Sequence, residues 1–560
     1  MAKIVKTQVE IEGKWHEQES LVETDDLKRW DAGADLSVVG QPVSRVDGFE
    51  RVSGAAQYTQ DVQLPGMLCG GMLRSAYPHA RIRRIDHSEA EKLAGVRCVL
   101  TNESAVGLPY HGSEPLFSNT ARFEGEELAA VAAVDSETAM EAISLIRVEY
   151  EELPFVVDPL DALRSGAPAL KADGNRAGDP LTYKRGDIDA GFSQADAIID
   201  RTFSTPAALH NSFETHGAVA MWEGEHITVW HSTQYIFGVR EEMAQALGMP
   251  LSHVRVIKRY IGGGFGSKID AGKYGICAAL MSRKTGRPVR FCLSRREENL
   301  AAGNRPSAVI HVRLGATTDG TLTAIEEKSI SAVGAYGNGS PPVTGPAKEL
   351  YACDNVFTEE QGVLTNTGPS SAFRAPGYVE GTFALESAMD ELAGKLAIDP
   401  VELRLRNHTD RQQVRDLPYS SKDLLASYAM GKETIGWERK RGSLSRSGNT
   451  RRGVGMASQI WGGGGTAPSY AIARMNSDGT LDVLTGSQDI GTGTKTVMAQ
   501  ITAEELGVNI EKIHVVVGDT LAGPYGILSA GSLTVPSVGP AVRMAAKDVK
   551  DQIIDVASAI

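Results

Sequence analysis

Three glycine-rich loops hold the residues whose types and spacing suit chemistry. The first is Gly262-Gly263-Gly264-Phe265-Gly266-Ser267-Lys268, directly after an apolar run that reads as a strand. The second is Gly486-Ser487-Gln488-Asp489-Ile490-Gly491-Thr492-Gly493-Thr494, and the third is Ser529-Ala530-Gly531-Ser532-Leu533-Thr534. Each sets small or hydroxyl residues where backbone N–H groups can approach an anion. The second and third precede predicted helices, whose N-termini favour negative charge. The simplest reading of any one loop is a tight turn after a strand. A phosphate loop of the Walker kind is poorly matched, because Ser267 separates Gly266 from Lys268. The dinucleotide fingerprint fails as well: its third glycine position holds Ser267 in the first loop and Thr496 in the second. No Gly-x-Ser-x-Gly elbow occurs, so a serine hydrolase has no support. The twelve histidines show no HExxH spacing, and His216 and His231 are given no catalytic role. Trp461 with Gly462–Gly465 lacks polar partners in the sequence and reads as structural.

Cysteine usage narrows the chemistry further. Cys69, Cys98, Cys277, Cys292 and Cys353 are far apart and form no CxxC pair. Zinc sites and iron–sulfur clusters usually need closely spaced thiolates, so neither is expected in this chain. The cysteines read as small buried hydrophobes. The formal charge of −13 argues against nucleic acid or anionic membrane as the main partner. No run of 18 apolar residues exists and the N-terminus lacks the pattern of an export signal, so a cytoplasmic location is expected.

These loops need elements to position them, and 560 residues at roughly 150 per domain suggest three or four domains. The pattern predicts an α+β fold. Residues 1–40 read as a polar extension, with Trp15 and Trp30 as isolated aromatics, lying over a neighbouring surface. Residues 41–165 form a small α+β domain: a strand at Glu126–Val134, a helix at Ser136–Ile146 with Met140, Ile143 and Ile146 on one side, and a strand from Arg147, as one β-α-β module. Residues 166–407 form a larger block. It holds strands at Ala218–Trp222, His226–Trp230 and Val254–Tyr260, and a helix at Ala271–Lys284. It also holds an amphipathic helix at Thr382–Leu396, built on Phe383, Leu385, Met389, Leu392 and Leu396, with Glu391 and Lys395 as a favourable pair. Residues 408–452 are a polar, basic connector, and a further block starts near Gly453 and runs to residue 560.

The loops occur in fixed order with other strings: VGQPVSRVDGFERVSGAAQYTQDVQLPGML (39–68), RSAYPHARI (74–82), HSTQ (231–234), GGGFGSK (262–268), AFRAPG (372–377), ALESAMDELA (384–393), SQDIGTGT (487–494) and SVGPAV (537–542). Together they resemble the molybdenum-binding large subunit of the xanthine dehydrogenase and aldehyde oxidase family, the molybdenum hydroxylases, over residues 39–560. The resemblance implies an α/β hammerhead domain followed by two molybdopterin-binding α+β domains, the last one incomplete. It implies hydroxylation of an aldehyde or aromatic N-heterocycle with water as oxygen source. The cofactor it implies is molybdenum–molybdopterin, in the cytosine dinucleotide form, with no iron–sulfur cluster or FAD in this chain. It further implies that electrons pass to an iron–sulfur subunit and onward to an FAD subunit. The alternative is a non-catalytic molybdopterin-binding or assembly protein.

By the same resemblance, Gln234, Phe265, Arg374 and Gly531 surround the metal without ligating it directly. Gly264 and Gly266 flank Phe265, and Phe373 and Ala375 flank Arg374. Gln488, Gly491, Thr492, Gly493, Ser529 and Ser532 hold the pterin and its pyrophosphate tail, while Ile269 and Pro376 face the substrate. Three departures stand out. The family's general-base glutamate, in a Gly-Glu-Pro-like motif, has no counterpart here, so no catalytic residue is expected in this chain and a fragment, or a subunit completed by a separate chain, is. Purine-oxidising members carry a glutamate where this chain has Ile269. A common glutamine of the second loop is Thr492.

Overall fold

The structure is a computed structural model that describes residues 2–11, 14–23, 30–31, 33–105, 110, 115–419, 421–442, 446–465 and 468–560. A seven-stranded sheet sits at its centre. From one edge it runs Val254–Ile257, His226–His231, Gly217–Glu223, Val289–Cys292, Leu68–Arg74, Glu127–Ala133 and Val96–Thr101. Three of these strands come from residues 41–165 and four from residues 166–407, so the sheet crosses the boundary between those segments. The join is the parallel pairing of Leu68–Gly70 with Val289–Phe291. A Cβ on Gly70 would lie 2.2 Å from the Phe291 ring, which is why the joining strand carries glycine there. The helices Ile236–Leu247 and Gly272–Thr285 cover this sheet, and Val229, Met243, Cys277 and Phe291 fill the core between them.

The module at 127–152 differs from the expectation. Its helix spans Ser136–Leu145, but its second strand, Arg147–Glu152, joins a separate three-stranded sheet with Ala80–Asp86 and Thr120–Ala121. Met140, expected inside, is 60% exposed, and Ala139 and Ala142 are the buried residues of that helix.

A five-stranded sheet follows, in the order Ala197–Thr205, Ala308–Ala316, Leu322–Ala332, Val356–Val363, Leu181–Arg185. The helix Tyr378–Leu396 lies on it and buries Leu385, Met389 and Leu392. Phe383 is half-exposed and meets the Phe203 ring edge-on. Glu391 pairs with Arg201 (2.7 Å) and Lys395 donates to the Ile198 carbonyl (2.8 Å), so the two bond to the sheet rather than to each other. The last block sets the strands Ala471–Met475, Leu481–Thr485 and Ile513–Val516 under the helices Thr494–Leu506 and Thr534–Ala559.

Residues 408–452 are more than a connector. The helix Leu424–Ile435 and Trp437 bury Tyr428 and Trp437 against Val401, apolar anchors that the surrounding charge obscures in the sequence. Trp30 packs on the last block, with the Arg543 guanidinium 4.0 Å from its ring centre, and Glu504 accepts the Val38 (2.6 Å) and Val39 (3.0 Å) N–H groups. The side chain of Trp15 lies outside the described residues. All five cysteines are free: Cys98, Cys277 and Cys353 are buried, Cys69 and Cys292 half-buried. Among the described residues no helix is long and apolar enough to cross a membrane.

Candidate functional site

The first loop is fastened from behind by charged groups buried in the core. The Lys268 ammonium donates to the Glu214 carbonyl (2.7 Å) and the Ser232 hydroxyl (2.9 Å). The Glu214 carboxylate accepts from the Gly262 N–H (2.7 Å), the Ser232 hydroxyl (2.8 Å) and the Thr59 N–H (3.2 Å). His216 faces the Ser267 carbonyl through Nε2 (3.0 Å) and Glu298 through Nδ1 (3.0 Å). Burial alone would raise the Glu298 carboxyl, but the hydrogen bonds and charge of His216 outweigh it and hold the group below its usual range. So held, the loop takes backbone angles that its front residues would not choose. Phe265 has φ +55° and Gly266 φ +114°.

Gln234 is the hub. The strand before it ends at His231, and Gln234 lies in the turn before the helix Ile236–Leu247. Its Oε1 accepts the Gly266 N–H (2.7 Å) and its Nε2 donates to the Ser529 carbonyl (3.0 Å). Its own N–H donates to the Lys268 carbonyl (2.7 Å), and its carbonyl accepts the Ser529 N–H (2.9 Å). One side chain thus ties the first loop to the third. A Cβ on Gly264 would lie 2.4 Å from Gln234 Oε1, so the close approach depends on glycine there.

The segment Ala372–Pro376 closes a further side. The Arg374 N–H donates to the Phe265 carbonyl (2.8 Å), and a Cβ on Gly266 would lie 2.4 Å from the Ala372 carbonyl oxygen. Ala375 has φ +61°. The Arg305 guanidinium holds this shape by bonding the carbonyls of Phe373, Arg374 (2.8 Å) and Ala375 (3.2 Å), with Glu380 as its ion-pair partner at 2.9 Å. His210 bonds the Ala372 carbonyl (2.7 Å) and stacks on Phe373. The Arg374 side chain itself is exposed and has no ion-pair partner among the described residues.

In the second loop the expected amide donors are taken. Asp489, buried, accepts the N–H groups of Gly491 (2.8 Å), Gly493 (3.4 Å) and Lys495 (3.4 Å), and so satisfies the start of the helix Thr494–Leu506 internally. Arg45 crosses from the N-terminal segment to Asp489 (3.2 Å) and to the Gly491 carbonyl (2.9 Å). Lys258, fully buried, donates to the Asp489 carbonyl (2.5 Å). Burial pushes its ammonium down to about 7, against the opposing charge of Asp489. Thr492 and Ser532 stay exposed. The Gln488 carbonyl accepts the Ser529 (2.8 Å) and Thr494 (3.3 Å) hydroxyls, linking the second loop to the third. Trp461, read from sequence as structural and without polar partners, donates its indole N–H to the Gly531 carbonyl (2.7 Å).

Hydrogen bonds therefore join Gln234, Gly264–Gly266, Phe373–Ala375, Gln488 and Ser529 into one cluster drawn from five separate stretches, with Gly531 two residues beyond Ser529. Ile269 directly follows the first loop and Pro376 directly follows Ala375, and both are half-buried. Arg305, His210 and Lys258 escape sequence reading because they act through backbone carbonyls, which leaves no spacing pattern. The cluster fits a polar organic cofactor. The Gln488 Oε1 and the Ser487 hydroxyl are buried with no protein partner among the described residues. No group of three or more His, Cys, Asp or Glu able to hold a metal occurs among the described residues.

Comparison with known proteins agrees with this geometry. Residues 171–408 and 430–560 match models of the molybdopterin cofactor-binding domain, and residues 53–154 match the a/b hammerhead domain of aldehyde oxidase and xanthine dehydrogenase. The chain is 32% identical to the xanthine dehydrogenase molybdenum-binding subunit of Escherichia coli O157:H7, over 91% of this chain and 72% of that one. It is 35% identical to the nicotinate dehydrogenase large molybdopterin subunit of Eubacterium barkeri, over 67% of this chain and 90% of that one. The quinoline 2-oxidoreductase of Pseudomonas putida 86 superposes with a TM-score of 0.85 at 26% identity, over 92% of this chain and 71% of that one. The chain belongs to the xanthine dehydrogenase and aldehyde oxidase family, as a molybdenum-binding subunit.

Proposed function

We propose that this chain is the cofactor-binding subunit of a hydroxylase that takes an aldehyde or an aromatic N-heterocycle and uses water as oxygen source: R–H + H2O → R–OH + 2 H+ + 2 e−. The observation that carries the reading is the double hydrogen bond of Gln234, which fixes the first and third loops around one place. Two relatives are named for nicotinate and quinoline, both aromatic N-heterocycles, and this supports the substrate class. Molybdenum–molybdopterin, in its cytosine dinucleotide form, supplies when bound the two-electron redox centre that this chain's side chains lack.

The chain's own residues bind and orient. Gln234, bonded to Gly266 and Ser529, holds Gly264, Phe265 and Gly266 on one side of the centre. Phe373, Arg374 and Ala375 close another side under the clamp of Arg305. Gln488 and Ser529 meet the pterin, with Gly491, Thr492, Gly493, Gly531 and Ser532 along its tail. Because Asp489 occupies the Gly491 and Gly493 amides, the tail's oxygens are left to the exposed Thr492 and Ser532 hydroxyls. Ile269 and Pro376 border the substrate and leave an apolar wall where a charged partner for a purine would stand. The two electrons leave to an iron–sulfur partner and then an FAD partner, a route supported by five free and scattered cysteines in this chain. The same unpaired thiols support a cytoplasmic location.

The test is to purify the chain with its partner subunits, assay dye-linked oxidation of nicotinate-like and aldehyde substrates, and analyse the separated chain. Molybdenum near one per chain, cytidine monophosphate released by acid, and no iron in this chain are expected. A chain that carries no molybdenum contradicts the reading.

A further inference from the structure

The helix Tyr378–Leu396 starts directly behind the Phe373–Pro376 segment, and the sheet face beneath it changes character along its length. Residues opposite one another on adjacent strands share a face, and alternate residues of a strand share it too. One cross-strand row reads Leu314, Ile325, Val356 and is apolar. The next rows read Val312, Glu327, Thr358, then Ile310, Ser329, Glu360, then Ala308, Ser331, Gly362. The central strand therefore turns from isoleucine to glutamate and serine on the face that buries.

Those polar groups are shielded from solvent. Glu327 is 0% exposed, Ser329 3%, Ser331 1%, Thr358 0% and Glu380 1%. Both Glu327 carboxyl oxygens, the Ser329, Ser331 and Thr358 hydroxyls and Glu380 Oε1 make no hydrogen bond to any described residue. An unmade bond at each would leave its desolvation uncompensated, and buried polar groups in native proteins are nearly all satisfied. Water, with two donors and two acceptors, meets that need, and buried waters gather at such groups. A cation is the less suitable occupant. Burial and the neighbouring Glu360 push the Glu327 carboxyl well above its usual range, which favours its protonated form, while Lys348, the opposing charge, is 3.3 Å from Glu360.

The set has two ends. At one, Glu380 Oε2 pairs with Arg305, whose guanidinium holds the carbonyls of Phe373–Ala375. At the other, Glu360 meets Lys348, whose side chain is partly exposed. Arg201, in the Glu327 row on the edge strand, is turned outward to Glu391.

We propose that Glu327, Ser329, Ser331 and Thr358 line a buried chain of water molecules that conducts protons from Glu380, behind the Phe373–Ala375 segment, to the surface at Lys348. This rests on the hydroxylation reading, which releases two protons per turnover beside that segment. A proton entering at Glu380 is matched by one leaving Glu327 toward Glu360, so Glu327 is neutral again after each transfer and no electrons move.

The test uses the assembled enzyme and its Glu327→Gln and Ser329→Val variants. Infrared difference spectra in H2O and D2O are expected to show a protonated carboxyl band that Glu327→Gln removes, and a high-resolution crystal structure to show waters bonded to Glu327 and Ser329. With KM unchanged, kcat falls about tenfold in Glu327→Gln. Ser329→Val, which keeps the acid and breaks the water chain, lowers kcat as well and covers the case in which Glu327→Gln does not fold. An ionised Glu327 holding a cation, polar groups bonded to each other without water, or kcat unchanged in both variants overturns the proposal. The band and the waters are read without turnover, so a parent enzyme with no oxidase activity counts against the hydroxylation reading alone.

Discussion

Gln234 uses both ends of its amide, and no smaller side chain reproduces that. Gln234→Leu leaves the Gly266 N–H and the Ser529 carbonyl without their partner at a buried site. At about 1–3 kcal/mol for each orphaned group, the loops separate locally. Molybdenum content, measured by metal analysis, is expected to fall by about tenfold or more, since each 1.4 kcal/mol is a factor of ten in affinity, while the far-ultraviolet circular dichroism of the chain stays the same. Gly266→Ala places a methyl 2.4 Å from the Ala372 carbonyl oxygen at φ +114°, and the melting temperature should drop by an amount worth about 2–4 kcal/mol. At this scale the sequence was readable where chemistry and string coincide. Gln234, Phe265 and Arg374 each sit in a short motif, and the structure joins them. It was unreadable where a side chain works through another residue's carbonyl: Arg305 lies about seventy positions from the segment it clamps, and its sequence neighbours say nothing of it.

The second loop and its helix show why element-level reading reaches only part way. Its glycines look like an anion cradle, yet a carboxylate two residues before Gly491 fills the cradle from within. Spacing reveals that N–H groups are available but not which oxygen takes them. Lys258 supports this arrangement from beneath with a buried amine, and that has a pH signature. Its folded value, about 7, lies below the ordinary lysine value of 10.5. Between those limits the unfolded chain holds a proton that the folded chain has released, so stability rises with pH from about 7 to about 10. Urea melts at pH 7 and pH 9.5 should show this gain in the parent and a smaller one in Lys258→Met. The strand-and-helix reading of 127–152 was right in type and wrong in partnership, because hydrophobic period reports which face is buried and not which sheet receives it. In 408–452 a basic surface hid Tyr428 and Trp437, two aromatics that fold the segment onto Val401.

Across the whole molecule, the central sheet binds the first segment to the second. Its strands Leu68–Arg74 and Glu127–Ala133 are interior, and Leu68–Gly70 needs Val289–Phe291 beside it. Residues 41–165 expressed alone should therefore fail to give a cooperative thermal transition, whereas residues 41–407 together should give one. The site depends on the same organisation, since Gln234, Phe265, Arg374, Gln488 and Ser529 come from five stretches that only the complete packing brings together. The most direct check is anomalous diffraction at the molybdenum absorption edge from crystals of the assembled enzyme. One peak per chain in the space bounded by Gln234, Phe265 and Arg374, lost in Gln234→Leu, is the result expected. A peak elsewhere on the chain, or none while activity persists, contradicts the account.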